Sequence, residues 1–261
     1  MDGRTDRTHK TPLYAPSGGE SDGALRTGRA YHEPMLSGLR WLALEAKYLD
    51  RAREFYETHL DLSVVRDENG EVVFDAGGAN LVLREPGGVP RGGVHTHYAF
   101  AAPPDRYDEW YERLAASFDL TEFDFGGAKS LYFYDPDGNC VEIGGVGEGE
   151  EPITDIFEIV LEVEDLARAE SFYRSLGFEV VDRGDQRRRL RLGGPVDLEL
   201  WEPHLGIADA RGGLHADVGF MADDPAAAAD AVREAACEVA DVEGGTRVRD
   251  PDGHYLTFRE P

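Results

Sequence analysis

Two short stretches of the chain share a motif. At one equivalent position, only one of them carries a side chain that could take part in chemistry. YDPDGNCVEI (residues 134–143) and RDPDGHYLTF (residues 249–258) both contain DPDG followed by a strand-like run. At the same place in each run, the first stretch carries Glu142 and the second carries Thr257. A carboxylate can bind a divalent metal or accept a proton, and a neutral hydroxyl is a poor substitute for either purpose. One stretch has therefore kept a reactive group that the other lacks.

Two further matches show that the DPDG stretches belong to an internal repeat. LDRAREFYETHLDLSVV (residues 49–65) matches LARAESFYRSLGFEVV (residues 166–181), and VHTHYAF (residues 94–100) matches LHADVGF (residues 214–220). The offsets are nearly constant: 172 − 55 = 117 for the Phe-Tyr pairs, 217 − 97 = 120 for the strands and 251 − 136 = 115 for DPDG. We therefore predict a tandem duplication.

The repeat predicts a first domain over residues 36–147 and a second over residues 153–261, joined by the linker GVGEGEEP. Each copy begins with an apolar strand and a short helix that has small and aromatic residues on one face. Short strands broken by Gly-rich turns follow, and then the strand, helix and strand order recurs. Each copy is thus predicted to contain two βαβββ modules.

The composition limits the partners of the protein. The chain of 261 residues carries 52 acidic and 27 basic residues, for a formal net charge of −25. Only Lys10, Lys47 and Lys129 are lysines. Such a surface repels nucleic acid and anionic membranes, so neither is an expected partner. The acidic, Lys-poor balance resembles that of halophilic proteins, in which high salt screens the self-repulsion.

The cysteine content and the absence of a long apolar run favour a cytoplasmic protein, and the sequence leaves a monomer and a homodimer equally open. Cys140 and Cys237 form no disulfide framework, and no apolar run approaches the length of a membrane helix. Residues 1–34 are polar and rich in Gly, Arg, Thr and Ser, with no apolar periodicity. We expect them to form a disordered tail.

The module order, with L-x-R-A-x-x-F-Y after the first strand and DPDGN-x-x-E on the last, resembles the vicinal oxygen chelate superfamily. This superfamily includes glyoxalases, bleomycin-resistance proteins and extradiol dioxygenases. The resemblance covers the chain from Leu36 onward. It implies an α+β fold of tandem, paired βαβββ modules that form open β-cups, with a divalent metal (Zn, Ni, Mn, Co or Fe) bound inside a cup. It is specific for the fold and weak for the reaction.

The resemblance also implies where metal ligands would lie: on the first strand of one module, on the first and last strands of the other, and in some members on a fourth strand. The corresponding residues are Trp41, Val82, His97 and Glu142 in copy one, and Glu158, Glu199, Asp217 and Thr257 in copy two. Neither copy alone has a complete set. If the modules pair across the copies, one cup combines His97, Glu142, Glu158 and Glu199, and the other holds Trp41, Val82, Asp217 and Thr257. The crossed arrangement therefore predicts one metal cup and one vacant cup.

The implied activity is that of a divalent-metal-dependent enzyme acting on a small substrate with vicinal oxygens. Glyoxalase- or epimerase-like isomerisation through a metal-stabilised enolate is the first hypothesis, with Glu142 or Glu158 as the catalytic base and His95, Tyr132 and Tyr134 lining the pocket. A small-molecule-binding protein of the bleomycin-resistance type, metal-free or metal-assisted, is the alternative. An extradiol ring-cleaving dioxygenase is a second alternative, although its pattern of two His and one Glu within one copy is not matched.

Simpler interpretations of the same residues stay open. His97 alone on a half-buried strand is typical of a hydrogen-bonded structural histidine. Glu158 and Glu199 lie in strands with alternating polarity, so each could occupy a solvated face. The pairing of His97 with Glu142 at the family positions favours the metal interpretation.

Overall fold

A computed structural model describes residues 35–86, 93–184, 188–203 and 215–261. The predicted tail, residues 1–34, lies outside the described residues. Within these ranges, no helix has the length and apolar character needed to cross a membrane.

The first copy contains two modules. Its elements are β1 (Gly38–Glu45), α1 (Leu49–Leu60), β2 (Ser63–Glu68), β3 (Glu71–Asp75), β4 (Asn80–Arg84), β5 (His95–Ala101), a 3-10 turn (Pro104–Arg106), α2 (Tyr107–Ala115), β6 (Thr121–Asp124), β7 (Lys129–Tyr134) and β8 (Cys140–Gly144).

The second copy repeats this order. Its elements are β9 (Asp155–Glu162), α3 (Leu166–Ser175), β10 (Glu179–Arg183), β11 (Arg189–Gly193), β12 (Asp197–Trp201), β13 (His215–Met221), α4 (Pro225–Val232), β14 (Glu238–Val242), β15 (Gly245–Arg249) and β16 (Tyr255–Arg259). The predicted βαβββ modules are confirmed.

The modules pair across the copies in two eight-stranded sheets. One sheet has the strand order β14-β15-β16-β13-β1-β4-β3-β2, and the other has the order β10-β11-β12-β9-β5-β8-β7-β6. The antiparallel pairs β1–β13 and β5–β9 join the modules at the centre of each sheet. Each sheet therefore combines the first module of one copy with the second module of the other.

The helices cover one face of each sheet because their apolar residues recur at helical spacing. In α1 the buried residues are Ala52, Phe55, Tyr56 and Leu60, and α3 buries Ala169, Phe172 and Tyr173 in the same way. The Asp165 side chain accepts a hydrogen bond from the backbone N–H of Arg168 and caps the start of α3. The opposite face of each sheet, which the helices do not cover, carries the polar residues considered below.

The two DPDG turns are fixed by the helices of the same copies. The hydroxyl of Tyr56 donates to Asp135 Oδ2 at 2.8 Å, and that of Tyr173 donates to Asp250 Oδ2 at 2.9 Å. The other oxygen of each aspartate accepts backbone N–H groups of its own turn. These contacts set the start of β8 and β16, the strands that carry Glu142 and Thr257.

Candidate metal centre

Three strands of the second sheet bring the predicted metal ligands together. His97 is on β5, Glu142 on β8 and Glu158 on β9, and β5 lies between the other two strands. Ala99 pairs with both Glu142 and Glu158, so the two glutamates flank the strand that carries His97. One potential ligand atom from each residue lies within 4.8 Å of the others.

The histidine contacts both carboxylates. His97 Nε2 lies 3.2 Å from Glu158 Oε1 in a hydrogen bond and 3.3 Å from Glu142 Oε2. All three residues are buried, at 8%, 3% and 6% exposure for His97, Glu142 and Glu158. Glu142 Oε2 is fully buried and has no hydrogen-bond partner, because its contact with His97 lacks hydrogen-bond geometry. A buried carboxylate oxygen without a partner is costly, and a cation between the three residues would satisfy it.

The electrostatics of the centre follow from this packing. Burial works to lower the pKa of His97, but the close carboxylates of Glu142 and Glu158, the second of them hydrogen-bonded to the ring, outweigh burial and raise the pKa to about 10. Burial also works against ionisation of Glu158, yet His97 and Arg191 prevail and its pKa is lowered. One imidazole and two carboxylates fit a borderline or hard divalent cation, so the residues present suit the metal that the fold implies.

Glu199 lies outside this group of three. Arg189 Nη1 donates to Glu199 Oε1 at 2.6 Å, and Trp201 Nε1 donates to Glu199 Oε2 at 2.8 Å. Burial, reinforced by the charge of Glu158, raises the pKa of Glu199. Both of its oxygens are thus bound by other side chains, and its role as a fourth ligand stays a prediction.

Two arginines of β11 were not anticipated from the sequence. Arg191 Nη2 lies 2.7 Å from Glu158 Oε2 and 2.9 Å from Asp197 Oδ2, while Arg189 binds Glu199. Arg191 pairs with Glu199 across the β11–β12 ladder, and so lies on the cup face. Charged and apolar residues alternate in both RLRLG and DLELW, and this pattern could have indicated the contacts. Neighbouring strands with opposite charges on one face form ion pairs.

The predicted pocket residues have different positions. The Tyr132 ring lies 5.6 Å from the His97 ring, edge to face, and Tyr132 pairs with Glu142 across the ladder. Tyr134 is 47% exposed and lines a surface groove with Phe55 and His59. Tyr132 thus contacts the centre, while the role of Tyr134 in a pocket stays a prediction.

His95 does not share the face of His97. A register shift between them places His95 opposite Leu161, which faces the core, and His97 opposite Val160. His95 is fully buried, which lowers its pKa to about 4. The expectation of a cup-lining His95 assumed regular alternation, which the bulge interrupts.

The first sheet holds the residues predicted for the vacant cup. Trp41 Nε1 donates to Asp217 Oδ2 at 3.2 Å, and Thr257 Oγ1 donates to the two Asp217 oxygens at 2.9 and 2.8 Å. Gly219 is required for this packing, since a Cβ there would lie 2.2 Å from the Trp41 ring. Trp41, Ala43, Val73 and Val82 form a small apolar cluster where the metal cup has charged groups. No metal-ligating group of three occurs among the described residues of this cup.

Comparisons with known proteins agree with this architecture. The family model described as the Glyoxalase/Bleomycin resistance protein/Dioxygenase superfamily matches residues 38–143 and 155–258. Metallothiol transferase FosB of Lysinibacillus sphaericus is 28% identical over 114 residues, which is 41% of this chain and 81% of the relative. FosB of Staphylococcus saprophyticus is 26% identical over 116 residues, covering 42% of this chain and 77% of the relative. The crystal structure of glyoxalase I from Zea mays aligns with a TM-score of 0.64 at 20% identity, over 85% of this chain and 92% of that chain.

Proposed function

The chain belongs to the glyoxalase/bleomycin resistance protein/dioxygenase superfamily, and we propose that it is a divalent-metal-dependent enzyme acting on a small molecule with vicinal oxygens. The observation that carries this proposal is the buried convergence of His97, Glu142 and Glu158 from the two copies. The finer assignment is an isomerisation of the glyoxalase or epimerase type, in which a proton moves at a carbon next to a carbonyl.

His97, Glu142 and Glu158 would hold the cation. When bound, a divalent metal acts as a Lewis acid that stabilises negative charge developing on substrate oxygens. Three protein ligands leave coordination positions for two oxygens of one substrate, which is the basis for proposing vicinal oxygens.

The two carboxylates differ in how firmly they are held, and this suggests separate roles. Glu158 is fixed by His97 at 3.2 Å and by Arg191 at 2.7 Å, so it suits a permanent ligand. Glu142 Oε2 makes no hydrogen bond. Glu142 is thus the better candidate for the base that removes and returns the proton, because less must be broken for it to move.

A metal-dependent thiol transfer is the second candidate, because both curated relatives are metallothiol transferases. It would use the same three ligands and a thiol as the second substrate. Isomerisation of a hemithioacetal moves a proton and has no leaving group. Thiol transfer to an epoxide forms a carbon–sulfur bond while a ring carbon–oxygen bond breaks, and the freed oxygen takes up the thiol proton, so the products distinguish the two reactions.

The deciding experiment measures metal content after purification without added metal, and then activity on three substrate classes. Hemithioacetals and ketones with a hydrogen on the α-carbon, in deuterated water, test proton transfer. An epoxide with a thiol tests thiol transfer, and catechols test ring cleavage. We expect about one metal per chain in the wild type, and solvent deuterium incorporation that Glu142→Gln abolishes even when enough metal is added to saturate the weakened site. A metal-free protein that binds planar ligands without turnover would favour the binding alternative.

A further inference from the structure

Three arginines on the first sheet differ from most others because no carboxylate of the described residues holds their guanidinium groups in an ion pair. Arg247, Arg249 and Arg259 form no ion pair with any residue that the structure describes, whereas most described arginines elsewhere do. In a chain with 52 acidic residues, such a group is unexpected. It lies beside Trp41, Asp217 and Thr257, and we call this region the Trp41 cup.

The strand register places these arginines on the same face as Thr257. Arg247 of β15 pairs with Thr257 of β16, and Arg249 pairs with Tyr255. Arg259 follows Thr257 by two residues on β16, so its side chain also points to that face. Arg247 and Arg259 are diagonal neighbours across the ladder, a separation that long side chains can bridge.

Aromatic rings support the two guanidinium groups that flank Thr257. The Arg259 guanidinium lies 5.2 Å from the centre of the Trp41 ring, and that of Arg247 lies 5.0 Å from the Tyr255 ring. Stacking of this kind orients the planar group and leaves its N–H edges available. The Nε atoms of Arg247 and Arg259 are buried and find no acceptor among the described residues.

The positive charge of Arg247 works against the rise in the pKa of Asp217 that burial causes, but the Asp217 carboxylate takes its hydrogen bonds from other groups. Both oxygens of Asp217 accept hydrogen bonds from Thr257, and one also accepts from Trp41. Arg84, another arginine of the cup face, is bound to Glu71 at 2.6 Å. Arg247 and Arg259 are half-buried, and their Nη groups, which make no hydrogen bond or ion pair with a described residue, are the donors open to a ligand.

We propose that the Trp41 cup is an anion-binding site that takes the oxyanion group, a carboxylate or a phosphate, of a small molecule through Arg247 and Arg259. The guanidinium fork matches two oxygens of such a group, which a halide cannot offer. This site is on the other sheet from His97 and does not depend on the metal. The duplication thus assigned a cation to one cup and an anion to the other.

The test is calorimetric titration of the full-length, metal-free protein with inorganic phosphate and with benzoate, against chloride at equal ionic strength. We expect saturable binding of phosphate, benzoate or both at one site per chain. Arg247→Gln and Arg259→Gln should each weaken that binding about tenfold or more, since a charged hydrogen bond is lost. Arg51→Gln removes one positive charge from an exposed arginine without an ion pair and is the matched control.

Binding of neither probe above the chloride background would overturn the proposal, as would an equal loss in Arg51→Gln. Each glutamine variant removes a cation that has no ion pair, so we expect it to fold. If one does not, Arg247→Lys and Arg259→Lys keep the charge but lose the fork, and binding should still weaken. His97→Ala should leave anion binding unchanged, which separates this result from the outcome for the metal centre.

Discussion

His97 Nε2 and Glu158 Oε1 lie 3.2 Å apart although 61 residues separate them along the chain. The two residues come from different copies of the repeat, and they meet because β5 and β9 pair at the centre of one sheet. The candidate metal centre therefore belongs to neither copy alone.

Removing either of these residues should cost similar metal affinity. His97→Ala and Glu158→Gln are each expected to weaken binding by more than about 100-fold, because loss of a direct ligand exceeds the 10–100-fold cost of losing an outer partner. Competition with a chromogenic chelator measures the metal affinity of each variant. Asp217→Asn, which changes the buried carboxylate of the Trp41 cup, is the control and should bind metal normally. Retention of metal by Glu158→Gln would remove Glu158 from the ligand set.

Glu199 should matter less than Glu158. Arg189 and Trp201 occupy both of its oxygens, so Glu199→Gln is expected to retain at least about ten times the metal affinity of Glu158→Gln. Equal losses would show that Glu199 leaves Arg189 and joins the metal as a fourth ligand. The visible absorption spectrum of the cobalt-loaded protein gives a second measurement, because it depends on the metal ligands. Arg189→Met releases Glu199 from its ion pair and should change this spectrum. Arg183→Met, which breaks an exposed ion pair with Glu170, should not.

Metal uptake should release a proton. With burial opposing it, the carboxylate pair raises the pKa of His97 to about 10, so the ring is protonated at neutral pH before metal binds. Affinity should then rise about tenfold per pH unit below that pKa. Calorimetry in buffers of different ionisation enthalpy counts the protons released, and the absence of release would contradict His97 as a metal ligand.

The stability of the metal-free protein should depend on pH in the opposite direction. The ion pair of protonated His97 with the carboxylates stabilises the fold fully below pH 6.5, and this contribution is lost as the pH rises through about 10.

Much of the architecture could be predicted because a tandem repeat constrains it. The constant offsets and the switch from strand to helix periodicity indicate the modules, and the deficiency of each copy indicates that modules pair across the copies. The grouping of Trp41 with Asp217 and Thr257 follows from the same reasoning. These features depend on residue type and order, which the sequence contains directly.

Side-chain partners could not be predicted as well. The bulge before His97 turns His95 toward the core, and a register shift of this kind leaves no clear trace in residue alternation. The ion pair between Arg189 and Glu199 depends on which strands are neighbours and on the conformations of two long side chains. Such contacts are decided by packing.

Salt should stabilise the protein. The formal charge of −25 opposes the compact state through self-repulsion, and added ions screen it. We expect the thermal midpoint to rise between dilute buffer and molar potassium chloride. Sucrose, which strengthens burial without screening charge, is the control for a nonspecific effect. A midpoint that does not change with salt, or that rises only with sucrose, would show that the acidic surface does not limit stability.

The two cysteines should differ sharply in reactivity. Cys140 is buried on β8, and its burial, with the charges of Glu142 and Asp135, raises its pKa to about 12, whereas Cys237 is exposed. The thiolate is the reactive form, so iodoacetamide near pH 8 should label only Cys237 in the folded protein. Mass spectrometry should find one adduct on the wild type and on Cys140→Ser, none on Cys237→Ser, and two on the unfolded wild type. Rapid labelling of Cys140 in the folded Cys237→Ser variant would mean that β8 opens to solvent, and the same opening would expose Glu142.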